Sequence, residues 1–115
     1  MKVFIENNEV PWEDMGSGIR RKIMAYDDNL MLVVVEFQKG AIGSIHQHYH
    51  TQITHLHSGK FEVQISGQKK ELATGDVFYV PPHAPHGVLC LEAGVLVDVF
   101  SPKREDFINS SNRPG

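Results

Sequence analysis

The sequence holds a single cysteine, Cys90, among 115 residues. One thiol cannot close an intrachain disulfide, and it suits a reducing compartment, so a cytoplasmic setting is expected. Long hydrophobic runs are missing too. The longest, such as Leu30 to Val35, falls far short of the ~20 apolar residues a helix needs to cross a bilayer, and no membrane partner is expected. The first residues reach Lys2 and Glu6 without an apolar stretch, so they do not read as a signal peptide. Positive charge is not in excess: 11 Lys plus Arg stand against 14 Asp plus Glu, a net charge of -3. Scattered charges of this balance argue against nucleic acid as a partner. No window sustains an apolar period of 3.6 residues, which leaves little room for helix. The length allows one domain, expected over residues 1–109, with the polar stretch 110–115 as a flexible tail.

What is present instead is frequent Gly and Pro, and between them short runs rich in Val, Ile, Phe, Tyr and Thr. This spacing predicts an all-β fold. Strands are expected at Ile19 to Tyr26, Leu30 to Gln38, Thr51 to Ser58, Lys60 to Ser66, Gln68 to Leu72, Asp76 to Val80, Gly87 to Leu91 and Val95 to Phe100. Asp27-Asp28-Asn29, Ser58-Gly59 and Ser66-Gly67-Gln68 read as turns. One short helical turn is expected at Arg104 to Ile108, with Ser101 as its cap and Pro102 at its first position. Val95, Val97 and Val99 lie on one face of the last strand, and Leu96, Asp98 and Phe100 on the other. A strand apolar on both faces is buried on both, and in so small a chain a second subunit can cover one of them.

Seven histidines are the unusual feature, all between His46 and His86. His46, His48 and His50 alternate, so an extended backbone would point all three to one side at intervals of roughly 7 Å. Neutral imidazole is the commonest ligand for Zn, Fe, Ni and Cu. Two readings of the alternation are open: a metal platform, or a polar strand edge that happens to be rich in His.

The flanks carry more. The chain reads Gly40-x5-His46-x-His48-x3-Gln52-x6-Gly59, and then Gly75-x5-Pro81-x-His83-x2-His86. These two blocks resemble the paired motifs of the cupin superfamily. The resemblance implies a single small jelly-roll β-barrel and one divalent transition metal (Zn, Ni, Fe or Mn), with His46, His48, Gln52 and His86 as ligands. Three positions depart from the usual pattern: Gln52 replaces a Glu, His83 a Gly and Cys90 an Asn. With Gln in place of Glu, the charge of a divalent site rises from about +1 to about +2, favouring an anionic ligand while weakening the hold on the metal. A site that has lost its metal is the competing reading. His50 could support the ligands from behind, His55 and His57 face away from Gln52, and His83 sits in a loop at the rim.

Asp98 shares its face with Leu96 and Phe100, where a carboxylate is costly unless paired or functional. Arg104 follows closely, and an ordinary salt bridge between the two is equally compatible with these residue types. The ending Asp98-x-Phe100-Ser101-Pro102-x-Arg104-x-Asp106-Phe107, joined to the Gln-containing metal motif, resembles the KdgF-type pectin and alginate degradation cupins. That resemblance implies an enzyme that opens the ring of 4,5-unsaturated monouronates to linear 5-keto-4-deoxyuronate. It places Asp98 and Arg104 in catalysis, with Phe100 and Arg104 lining the site of a small anionic sugar. Arg21, alternating with Ile19 and Ile23, is either a further cation for the sugar carboxylate or a structural residue. A homodimer is expected, as in cupins generally. Another metal-dependent cupin enzyme, such as a dioxygenase or a sugar isomerase, and a non-catalytic sugar-binding cupin are the alternatives.

Overall fold

The computed structural model describes residues 2–111, with side chains through residue 109. A short 3-10 turn, Asn7–Glu9, precedes eight strands: β1 Glu13–Gly16, β2 Ile19–Tyr26, β3 Met31–Phe37, β4 Ile42–His46, β5 Thr51–Ile65, β6 Gln68–Ala73, β7 Val77–Val80 and β8 His86–Ser101. One helix, α1 Glu105–Ser111, follows. Among the described residues no helix is long and apolar enough to cross a membrane.

The two longest strands, β5 and β8, pair antiparallel from Thr51↔Ser101 to Ile65↔His86 and form the spine. At one end β8 also pairs with β3, which leads through β2 to the edge strand β1, while β5 takes β7. At the other end β8 takes β4 and β5 takes β6. The core shows that the two halves fold face to face. Phe61, Val63 and Cys90 from one half pack with Phe37, Leu56, Phe78, Val80 and Leu96 from the other. Phe37 and Phe61 meet edge to face at 5.3 Å, a favoured aromatic geometry. This is the jelly-roll arrangement expected from the motif resemblance.

Several expectations about elements change. The strands expected at Thr51 to Ser58 and Lys60 to Ser66 are one, and so are Gly87 to Leu91 and Val95 to Phe100. Ser58-Gly59 is not a turn but a bulge, with register shifts on both sides. Gly59 has φ +90°, and a Cβ built there would lie 2.6 Å from the Gly94 Cα. Only two glycines facing each other let the spine bend this tightly while both strands continue. Strands β1 and β4 were not expected, because four or five residues broken by Gly and Ser carry too little alternation to register. Ser101 does not cap the helix. It ends β8 and donates its hydroxyl to the Asn29 carbonyl at 2.7 Å, and the peptide bond to Pro102 is cis. The helix starts later, at Glu105, and Ser110 and Ser111 still belong to it. The remainder of the expected tail, residues 112–115, lies outside the described residues.

The Asp27-Asp28-Asn29 turn holds, with Asp27 Oδ1 accepting from the Asn29 and Leu30 amides. At the β5–β6 hairpin Ser66 and Gly67 both have positive φ, as a two-residue turn of the twist-matched type requires.

Candidate active site

The three motif histidines come together where β4 and β8 pair. His46 ends β4 directly opposite His86, the first residue of β8. His48 does not continue the strand, so the expected alternation of three rings along one extended segment fails. Pairing stops at His46, the chain turns, and the His48 carbonyl accepts from the His83 amide at 2.7 Å. His83 has φ +67°, in the region that favours glycine, which accounts for the usual residue of the motif at that position. The turn nevertheless closes the cluster. The rings of His46, His48 and His86 each bring a nitrogen that could ligate a metal, and these atoms lie within 4.8 Å of one another.

Each ring is held by a carbonyl two residues away. Nδ1 of His46 donates to Ser44 at 2.9 Å, Nδ1 of His48 to His50 at 3.1 Å and Nδ1 of His86 to Ala84 at 2.8 Å. A carbonyl can only accept, so the proton of each neutral ring sits on Nδ1 and the lone pair on Nε2. Burial, with Arg104 and His86 nearby, pushes the His48 imidazole down to about 4. Burial lowers His86 as well. Both rings are thereby kept neutral, as metal ligation requires.

Two observations fit a cation at this point. His86 Nε2 is buried without a hydrogen-bond partner, which is costly for an acceptor left alone. His48 Nε2 faces Gln52 Oε1 at 3.1 Å, two lone-pair atoms with no proton between them once Nδ1 is protonated. That separation is what two ligands about 2.1 Å from a shared metal show. Gln52 is buried on β5 and its amide donates to Thr54 Oγ1 at 2.9 Å. The arrangement could hold one divalent metal. His86 is buried, His48 half-buried and His46 exposed, so the cluster opens on the His46 side.

A cavity of about 220 Å³ lies there, lined among others by His46, Gln52, His86, Asp98, Phe100 and Arg104. It is smaller than the ~300–1,000 Å³ usual for drug-sized ligands and suits a single sugar ring. Asp98 is half-buried and accepts from the Thr54 hydroxyl at 2.6 Å. Burial pushes its carboxyl up to about 6, with the Thr54 hydrogen bond and Arg104 pulling the other way. No ion pair joins Asp98 to Arg104. The Arg104 Nε–Nη2 edge is instead taken by Asp106, at 3.1 and 2.9 Å. Its guanidinium lies 4.2 Å from the Phe107 ring centre and 5.1 Å from that of Phe100. Among the described residues Nη1 has no hydrogen-bond partner, and that edge is left for a ligand.

Arg21 also lines the cavity, stacked on Phe107 at 4.1 Å, with its Nε 3.4 Å from Glu13 Oε1. His50 supports the cluster through its carbonyl, while its ring reaches the Lys103 carbonyl at 3.1 Å. His55 and His57 are exposed on β5 and His83 is exposed at the rim. Thr54 and Asp106 were missed as parts of the site. Alternation along β5 already put Thr54 on the Gln52 face, and that signal was available. Nothing in the sequence pointed to Asp106 as the clamp on Arg104.

Comparison with known proteins agrees with this geometry. Residues 33–100 match the cupin domain family. The chain is 49% identical over 110 residues, 94% of its length, to the whole of pectin degradation protein KdgF from Dickeya dadantii. Among solved structures it superposes on KdgF from Halomonas sp. with a TM-score of 0.89 at 43% identity, covering 93% of this chain and 99% of that one. An RmlC-like cupin from Shewanella frigidimarina gives a TM-score of 0.90 at 41% identity, covering 93% and 96%.

Proposed function

The chain belongs to the cupin family, and from that premise we propose that it opens the ring of 4,5-unsaturated monouronates, giving linear 5-keto-4-deoxyuronate, as a metal-dependent enzyme of the KdgF type. The observation that carries this is the meeting of Asp98, Arg104 and the histidine cluster at one cavity the size of a single sugar. Near-full-length identity to a pectin degradation protein supports it.

The reaction is an internal proton transfer. The C1 hydroxyl loses its proton, a C1=O bond forms and the C1–O5 bond breaks. O5 becomes the C5 ketone oxygen, and the C4=C5 pair takes a proton at C4. No oxidant, reductant or water is consumed. Asp98 removes the proton from the C1 hydroxyl and delivers one to C4. A carboxyl held near 6 is mostly ionised at neutral pH, yet its conjugate acid remains strong enough to protonate carbon in an enol ether. Arg104 presents Nη1 to the sugar carboxylate, held in place by Asp106 and the two phenylalanines. Arg21, which also lines the cavity, adds a second positive charge. Phe100 packs against the sugar ring. His46, His48, His86 and Gln52 hold the metal, which when bound supplies Lewis acidity for the anionic substrate's oxygens.

The protein is taken to act in the cytoplasm as a homodimer. The outward face of the sheet supports a second copy: one cross-strand row runs Leu32, Val99, Ile53, Tyr79 and the next Val34, Val97, His55, Val77, apolar but for His55. The test of function is direct. Incubated with unsaturated galacturonate or guluronate, the protein should speed the loss of the C4=C5 ultraviolet absorbance, and chelator should abolish the acceleration. No acceleration by metal-loaded protein would remove the enzymatic reading in favour of a sugar-binding role.

A further inference from the structure

Thr54 is fully buried between the two halves of the site. Its hydroxyl oxygen takes a hydrogen bond from the Gln52 amide at 2.9 Å and lies 2.6 Å from Asp98 Oδ1. An amide NH2 can only donate, so the hydroxyl accepts there, and its single proton is free for the carboxylate. The chain of hydrogen bonds therefore runs one way, from Gln52 through Thr54 to Asp98. We propose that Thr54 is a positioning residue that joins the metal cluster to the acid/base. It fixes the Gln52 amide with Oε1 turned to the histidines, and it occupies Asp98 Oδ1, leaving Oδ2 as the oxygen that exchanges protons.

The direction of the chain gives a reason for glutamine at position 52. A glutamate there could not donate to Thr54. The one hydroxyl proton would then face two carboxylates, and one of them would lose its donor. Reversing the amide, with its NH2 toward His48 and its oxygen toward Thr54, would likewise take the proton away from Asp98 and turn the wrong atom to the cluster. The polarity is thus tied to the presence of an oxygen, not an N–H, facing the histidines.

The catalytic half of this inference rests on the ring-opening reading; the metal half does not. Three variants test it. Metal affinity is read by competition with a chromophoric chelator, and kcat and KM with unsaturated galacturonate. Thr54→Val should weaken metal binding by about 10–100-fold, as loss of an orienting hydrogen bond behind a ligand does. It should also lower kcat by about ten-fold or more with KM little changed, and Thr54→Ser should restore both. Gln52→Glu should hold metal at least as tightly as the parent protein, while kcat falls by about ten-fold or more. Thr54→Val matching the parent in either quantity, or Thr54→Ser behaving as the valine variant, overturns the proposal. Should the valine variant not fold, Gln52→Glu decides: parental kcat there overturns it. A parent protein that binds metal but opens no rings defeats the functional reading instead, and the metal affinities still judge Thr54.

Discussion

The two halves of the site are oriented by different means. Each histidine of the cluster is held by a backbone carbonyl two residues away, Ser44, His50 or Ala84. Asp98 is held by a side chain 44 residues distant in sequence, across the β5–β8 pair. Arg104 takes its edge-on clamp from Asp106 and its packing from Phe100 and Phe107. Local backbone partners come with the turn and cannot be removed by substitution. Side-chain partners can be removed one at a time. The three histidines should therefore tolerate substitution of their neighbours, whereas Gln52, which leans on the Thr54 side chain, and the acid/base end should not.

The largest effect should come from Asp98→Asn. Turnover should fall by about 10²–10⁴-fold while metal content, measured by elemental analysis, stays at the parental level. Equal loss of metal would show that the two halves are not separable. Next, Arg104→Lys replaces a planar fork by a point charge. KM for the unsaturated uronate should rise by about ten-fold or more in steady-state assays, with the metal again retained. By contrast Ser44→Ala, exposed beside the cluster, removes no partner of His46, because the acceptor is the backbone. Metal affinity should stay within about two-fold of the parent, since exposed substitutions of this kind fall within about 0.5 kcal/mol. A larger loss would mean that the local orientation is less independent than the geometry shows.

The same division explains what could be read from residues alone. His46, His48, Gln52 and His86 stand at fixed offsets because a short turn and a strand pair set them, and fixed offsets are visible in a sequence. The fold was legible for a related reason: the spacing of Gly and Pro marks the strand ends of a small barrel. The bend at Gly59 and Gly94 was not, because each glycine looks like a turn until the other is known to face it. The extended run of three histidines failed similarly, since β4 ends at His46, opposite the first residue of β8, His86, and a partner 40 residues away leaves no local mark. Asp98 was visible as a residue out of place, and Arg104 through the ending Asp98-x-Phe100-Ser101-Pro102-x-Arg104. That Thr54 and Asp106, rather than each other, are their partners depends on tertiary contacts.

Asp98 also bears on stability, with a sign opposite to that on activity. Burial raises the Asp98 carboxyl from 3.8 to about 6. Between those values the folded protein holds a proton that the unfolded chain has released, so stability falls as pH rises from about 4 to about 6 and levels off above. Asp98→Asn has no such loss. In chelator-treated protein it should be the more stable form at pH 7, by at most about 2 kcal/mol given that Asp98 is only half-buried, with the advantage gone near pH 4. Urea denaturation at the two pH values measures it. Parental protein that is the more stable at pH 7 would show that the carboxylate is fully compensated by its neighbours.

The central claim is that Asp98 and the histidine cluster serve one cavity and one proton transfer, from the C1 hydroxyl to C4. It is tested most directly by proton NMR of the product formed from unsaturated galacturonate in D2O with metal-loaded protein. A single carboxyl on one side of the ring delivers to one face, so the account predicts one deuterium at C4 in a single configuration, lost as a preference in Asp98→Asn. Deuterium on both faces in equal amounts, as an unguided ring opening gives, would contradict it.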